Sequence, residues 1–200
     1  SSAVSRSPFT ASGRHMASNL RVAYWRLGLY GFRIKHAIDL FKGYLGCRPF
    51  DRLELKGVGA EIGVFHGKHL KEMLARHSGI TKIYAVDPYD PNYFWAMPGL
   101  DKAESTAKAV TKRWSDKISW VKGTSEDLKH PLDFAYIDGD HSYEGAATDI
   151  RNVWPLIKSG GVMGGHDFLP AYSDKVCKAV IEFAAEKNLP LNVTTPDWWI

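Results

Sequence analysis

The sequence predicts an α/β fold: a doubly wound sheet of mostly parallel strands with helices on both faces. Three observations predict it. From residue 57 onward, short apolar runs alternate with amphipathic helical stretches, the pattern of repeated strand–helix–strand units. A glycine-rich turn joins the first run to the first helix. Residues 132–168, LDFAYIDGDHSYEGAATDIRNVWPLIKSGGVMGGHDF, read as strand, helix and strand, with acidic and imidazole side chains directly after each strand. Parallel strands joined by a helix end on the same edge of a sheet. That edge is where open α/β sheets bind ligands.

The elements follow in order. Val58–Val64 is the first strand, and Lys68–His77, with apolar residues at helical spacing, the first helix. Lys82–Val86 is a strand ending at Asp87-Pro88. Tyr89–Gly99 is irregular and dense in Pro and aromatics; Tyr89, Tyr93, Phe94, Trp95 and Met97 suit a lid over a pocket or a flap onto a partner subunit. Asp101–Trp114 reads as a helix with Asp101 near its cap, Ile118–Lys122 as the third strand and Leu132–Ile137 as the fourth. Tyr143–Leu156 is a helix, Gly161–Gly165 the fifth strand and Asp174–Lys187 the last helix. Leu191–Thr194 and Trp198–Ile200 are short closing strands around a Thr-Pro-Asp turn.

Composition bounds the function. Two hundred residues, 44% apolar and 24% charged, suit one soluble domain. The net charge of +4 includes Arg6 and Arg14 in a dubious N-terminus, and the remainder is too small to imply nucleic acid. No apolar run approaches the ~20 residues of a membrane span, so no stable membrane anchor is expected. Cys47 and Cys177 are far apart and form no CxxC, which points to a reduced, cytoplasmic protein. Residues 1–18 are Ser-rich without periodicity, an expression-tag remnant or disordered tail outside the fold. Residues 19–46 form a basic, aromatic helical segment that covers the site mouth or pairs subunits as a homodimer; residues 57–200 are the main domain.

The glycine turn, AEIGVFHGKH, is not the dinucleotide pattern G-x-G-x-x-G: Phe65 and Lys68 stand where its second and third glycines belong. What remains is Glu61, Gly63 and Gly67, a loop for a cofactor with an adenosine but no pyrophosphate. Asp87 ends the second strand at the spacing of a ribose-binding carboxylate. S-adenosylmethionine fits this pattern better than NAD.

GAEIGVFHGKHLKEML, IYAVDPYD and AYIDGDHSYEGAATDIRNVWPLIKSGGVMGGHDF together resemble the class I S-adenosylmethionine-dependent methyltransferases. The closest resemblance is to a small-molecule O-methyltransferase-like group with an IDGDHSYEG segment. The resemblance implies a Rossmann-like sheet of seven strands, mostly parallel with an antiparallel last strand. It places Glu61, Gly63, Val64 and Gly67 around the methionine end of the cofactor, and Asp87 with Pro88 at the ribose. It places Gly123, Thr124 and Ser125, with Glu126, beside the adenine, and Asp138 beside the transferable methyl. His69 departs from the family's usual Ser or Thr.

The resemblance also implies a divalent metal, Mg2+, Mn2+ or Zn2+, on Asp138, His166 and Asp167, with Asp140 as an extra ligand. A hard cation prefers oxygen, so His166 favours a softer ion or no metal. His141 is the general-base candidate, because imidazole titrates near neutral pH; Asp138 shares the catalytic site with it. The expected activity is O-methylation of a small molecule or sugar. Two alternatives stay open: a metal-dependent hydrolase or hydroxylase-like enzyme on Asp138, His141, His166 and Asp167, and a non-catalytic cofactor-binding module.

Overall fold

The computed structural model describes residues 48–90, 99–170 and 174–200. The expected tail, the N-terminal helical segment and the aromatic loop from Pro91 to Pro98 lie outside them.

Seven strands form one sheet in the order β3-β2-β1-β4-β5-β7-β6: β1 Gly57–Ile62, β2 Ile80–Val86, β3 Ile118–Val121, β4 Leu132–Ile137, β5 Ile157–Gly165, β6 Asn192–Thr194 and β7 Asp197–Trp199. Strands β1 to β5 are mutually parallel, and β7 runs antiparallel to both β5 and β6. This is the expected Rossmann-like architecture with its reversed closing strand. The helices are α1 Lys68–Arg76, α2 Ala103–Val110, α3 Tyr143–Val153 and α4 Lys175–Glu186.

The differences from the sequence reading are local. The fifth strand starts at Ile157, because Ile157 pairs with Leu132 across an irregularity before the regular register resumes at Val162; Lys158-Ser159-Gly160 resembles a turn but belongs to the strand. The helix expected over 101–114 breaks into α2 flanked by single 3-10 turns. At the break, the Thr111 hydroxyl donates back to the Ala107 carbonyl at 2.6 Å, the competition that makes Thr a poor helix continuer.

The core lies on both faces of the sheet. Leu70, Met73 and Leu74 of α1 pack with Ile80, Ile83 and Phe134. Ala146, Ile150 and Val153 of α3 and Val176, Val180 and Phe183 of α4 are buried as well. Such apolar stripes at three- and four-residue spacing are what dock a helix on a sheet.

The strand ends are level. Val121 pairs with Val86, Val86 with Ile62, Ile62 with Ile137 and Ile137 with Gly165. The next residue along β1, β2, β4 and β5 is Gly63, Asp87, Asp138 and His166 respectively. Each donates its backbone N–H to the last carbonyl of a neighbouring strand, at 2.9, 3.1, 2.7 and 2.9 Å. The strand order reverses between β1 and β4, the point at which such sheets open a binding crevice.

Candidate active site

Gly63 begins the turn after β1 with φ +83°, a conformation natural to glycine. A Cβ there would stand 2.1 Å from the Asp138 carbonyl oxygen, so the β1 and β4 ends meet only because Gly63 lacks a side chain. Asp87 secures the turn from the β2 side. Its Oδ2 accepts from the Val64 and Phe65 N–H groups at 3.0 and 2.8 Å, and its Oδ1 from the Tyr89 N–H at 2.8 Å. A carboxylate offers about four lone-pair positions. Three serve the backbone, so Asp87 retains one for a ligand hydroxyl while keeping these bonds. Pro88 follows, half-buried. Gly67 is the left-handed N-cap of α1.

Glu61 lies within β1, buried under α1. Its Oε1 lies 2.9 Å from His69 Nδ1, and His69 Nε2 lies 3.2 Å from Asp51 Oδ1. Burial works against a charge on His69, but Glu61 and Asp51 outweigh it and raise the imidazole to about 9. Burial pushes the Glu61 carboxyl upward against the opposing pull of His69. Glu61 Oε2 and Asp51 Oδ2 are buried without a hydrogen-bond partner among the described residues. His69 thus spends both nitrogens inside the protein.

In the loop after β3, Thr124 and Asp127 form a reciprocal capping box, and Gly123 donates its N–H to the Asp87 carbonyl at 3.2 Å. The buried Ser125 hydroxyl donates to Asp149 Oδ1 at 2.6 Å and accepts from Asn152 Nδ2 at 3.0 Å. Asp149, on α3, is half-buried. Burial raises its carboxyl to about 6, with the Ser125 bond opposing and Asp140 adding to the rise. The signal was in the spacing: Ala146, Asp149 and Val153 fall on one helical stripe.

The loops after β4 and β5 bring together the four residues singled out from sequence. His141 Nε2 lies 3.0 Å from Asp167 Oδ2 and 3.5 Å from Asp138 Oδ1. His166 Nδ1 lies 3.2 Å from Asp167 Oδ2 and 3.7 Å from Asp138 Oδ1. Asp167 adopts φ +58°. Asp138 and Asp167 raise His141 to about 10 against the effect of burial. Burial would lift both carboxyls, yet His141 with Arg48 brings Asp138 down to about 2, and the two imidazoles hold Asp167 well below the usual range. Asp140 stands apart from this cluster: its two oxygens take the Ser142 N–H and hydroxyl at 2.8 and 3.0 Å, organising the start of α3.

Three further residues bonded to this cluster carry no sequence motif. Arg48 Nη1 donates to Asp138 Oδ2 at 2.8 Å and to the Tyr136 hydroxyl at 2.6 Å, and the Tyr136 hydroxyl donates to Asp197 Oδ1 at 2.9 Å. Arg48 lies in a connector without periodicity. Tyr136 reads as one more apolar strand residue, and Asp197 as part of a turn.

The donor sets permit two tests of fit. The glycine turn, the Asp87 lone pair and an orphaned buried Glu61 oxygen suit a ligand carrying ribose hydroxyls and an ammonium. Asp138, His141 and Asp167 offer ligand atoms all within 4.8 Å of one another. This mixed nitrogen–oxygen set suits a borderline divalent ion, provided His141 gives up its proton.

Residues 60–168 match the family model described as "Methyltransferase domain". No curated protein matches the chain. Among solved structures, the chain resembles the O-methyltransferase NovP, with TM-score 0.55, 16% identity and coverage of 72% of this chain and 71% of that one. It also resembles CalS11, a TDP-rhamnose O-methyltransferase, with TM-score 0.54, 16% identity and coverage of 97% and 87%. A third likeness is to a precorrin 8w decarboxylase of Methanobacterium thermoautotrophicum, with TM-score 0.54, 17% identity and coverage of 72% and 69%. At such identities the likeness is one of fold, and a fold alone does not choose the reaction.

Proposed function

The chain belongs to the methyltransferase-domain family, and we propose that it is an S-adenosylmethionine-dependent enzyme that methylates a hydroxyl of a small molecule or sugar. One observation carries the reading. The level strand ends align the Gly63 turn, Asp87 and the Asp138–His141–His166–Asp167 cluster along the crevice where the strand order reverses. The cofactor would be held by Glu61, Gly63, Val64, Gly67, Asp87, Pro88, Gly123, Thr124, Ser125 and Asp138, and would supply an electrophilic methyl group. The protein's own contribution is positioning and proton removal.

His141 is the residue placed to take the acceptor's proton. Asp138 and Asp167 beside it favour its protonated form. They do so only while no other cation shares those carboxylates. Positive charge arriving beside Asp138 weakens their hold and returns the imidazole toward its ordinary range, so His141 becomes a base once the site is filled. The convergence of Asp138, His141 and Asp167 favours a second reading, a metal-assisted form of the same transfer in which those residues, with His166 adjacent, hold a divalent ion. We further propose that residues 1–18 lie outside the working enzyme and that residues 19–46 serve as lid or dimer contact.

Mass spectrometry of ligand released from the purified protein, with calorimetry against S-adenosylhomocysteine, tests the central reading. Micromolar binding of S-adenosylhomocysteine is expected. Absence of binding, or tighter binding of NAD, overturns it.

A further inference from the structure

The cations along the carboxyl edge differ in what they leave free. His69 is buried with both nitrogens engaged by Glu61 and Asp51. His141 and His166 each direct one nitrogen at Asp167. Arg48 is different. Its two hydrogen bonds, to Asp138 and to Tyr136, both use Nη1. Nη2 and Nε make no hydrogen bond to any described residue. The side chain is partly buried, 25% exposed. The guanidinium sits 5.2 Å from the Tyr136 ring centroid, held by a stacked aromatic face and a carboxylate at once.

The surroundings make such a spare fork informative. Glu61, Asp87, Asp138 and Asp167 line the same edge, and an anionic group entering among them meets repulsion unless a cation receives it. The amino-acid end of S-adenosylmethionine carries both an ammonium and a carboxylate. Acceptors for the ammonium abound here. His69, at the position where a hydroxyl was expected, cannot turn outward without abandoning two buried acids. Arg48 bonds Asp138 directly, which places it at the β4 end, on the residue whose backbone carbonyl closes on the Gly63 turn. A planar guanidinium with two adjacent N–H donors unbonded among the described residues is matched to a carboxylate.

Resting on the cofactor reading above, we propose that Arg48 anchors the carboxylate of the cofactor's amino-acid end through Nη2 and Nε, while Nη1 remains on Asp138 and Tyr136. Arg48 thereby replaces, from outside the glycine loop, the contact that His69 has withdrawn. It is a cofactor-specificity residue. Calling it a mere structural brace for Asp138 predicts something different, because a brace is indifferent to whether the ligand carries a carboxylate.

Calorimetry on the full chain separates the two roles with a pair of probes: S-adenosylhomocysteine, and its decarboxylated analogue with an aminopropyl chain in place of the amino acid. The parent protein should prefer S-adenosylhomocysteine by about tenfold to a hundredfold, the range of a charge-assisted bidentate contact. In Arg48→Gln that preference should collapse to within about threefold, with affinity for the analogue little changed. Should Arg48→Gln not fold, Arg48→Lys takes its place and should lose most of the preference, because an ammonium cannot reproduce the fork. A variant that binds the analogue and keeps the full preference overturns the assignment to Arg48. A parent protein that binds neither probe overturns the cofactor reading itself.

Discussion

His141 Nε2 and Asp167 Oδ2 stand 3.0 Å apart, bridging the loops after β4 and β5. The pairing favours the imidazolium: Asp138 and Asp167 push His141 up to about 10. For His141 to serve as a base, charge arriving at Asp138 and Asp167 has to weaken that hold.

His141→Ala should lower turnover by roughly 10²–10⁴-fold, the usual share of a general base, and leave S-adenosylhomocysteine affinity nearly unchanged. The pH profile is diagnostic. kcat/KM reports the free enzyme, so its ascending limb, where activity climbs as His141 loses its proton, should run toward pH 10, whereas the ascending limb in kcat should lie at lower pH. Both limbs should vanish in the variant. A fully active His141→Ala protein ends the assignment and makes His166 the next candidate.

Metal dependence turns on Asp138 and Asp167. If an ion bridges them, chelator should abolish turnover, and the activity of Asp138→Asn or Asp167→Asn should recover partly in excess Mn2+ or Zn2+. Turnover indifferent to chelator, with the two acids acting independently, would leave the purely protein-based reading in place.

Asp87→Ala removes the acceptor for three backbone N–H groups as well as the remaining lone pair. S-adenosylhomocysteine affinity should drop at least tenfold, since a charged acceptor contributes roughly 1.5–3 kcal/mol, and the melting temperature should fall too. Unchanged affinity in a folded variant would remove Asp87 from the cofactor site.

His69 gives a pH signature of stability. Its folded value of about 9 lies above the unfolded value of about 6.5. Its contribution is then fully present below pH 6.5 and is lost as pH rises through 9, at up to about 1.4 kcal/mol per pH unit across that window. Denaturant titrations should show this decline in the parent protein and a flatter profile in His69→Gln. Parallel profiles would mean that the imidazole does not hold its proton.

The sheet was legible in the sequence because β1, β2 and β4 are short apolar runs closed by Gly63, Asp87 and Asp138, and pattern reports such units directly. The acids and imidazoles after β4 and β5 were legible because the topology of a crossover forces those two ends together. Arg48 was not, since a connector has no period and nothing local tells that its guanidinium reaches Asp138, ninety positions along. Likewise His69 stood out as a departure from a family pattern, but its partners Glu61 and Asp51 emerge only when α1 is laid on the sheet and the short turn at Phe50–Arg52 is packed beside it.

The level strand ends also set where the protein is stiff. The amides of Gly63, Asp87, Asp138 and His166 are each bonded to the final carbonyl of a neighbouring strand, so none can exchange its proton with solvent without the sheet parting beneath it. One residue further on, the backbone belongs to loops. The boundary between slow and fast hydrogen exchange therefore runs through the site itself, with the chemistry's footing on the protected side and everything that must admit or release a ligand on the other.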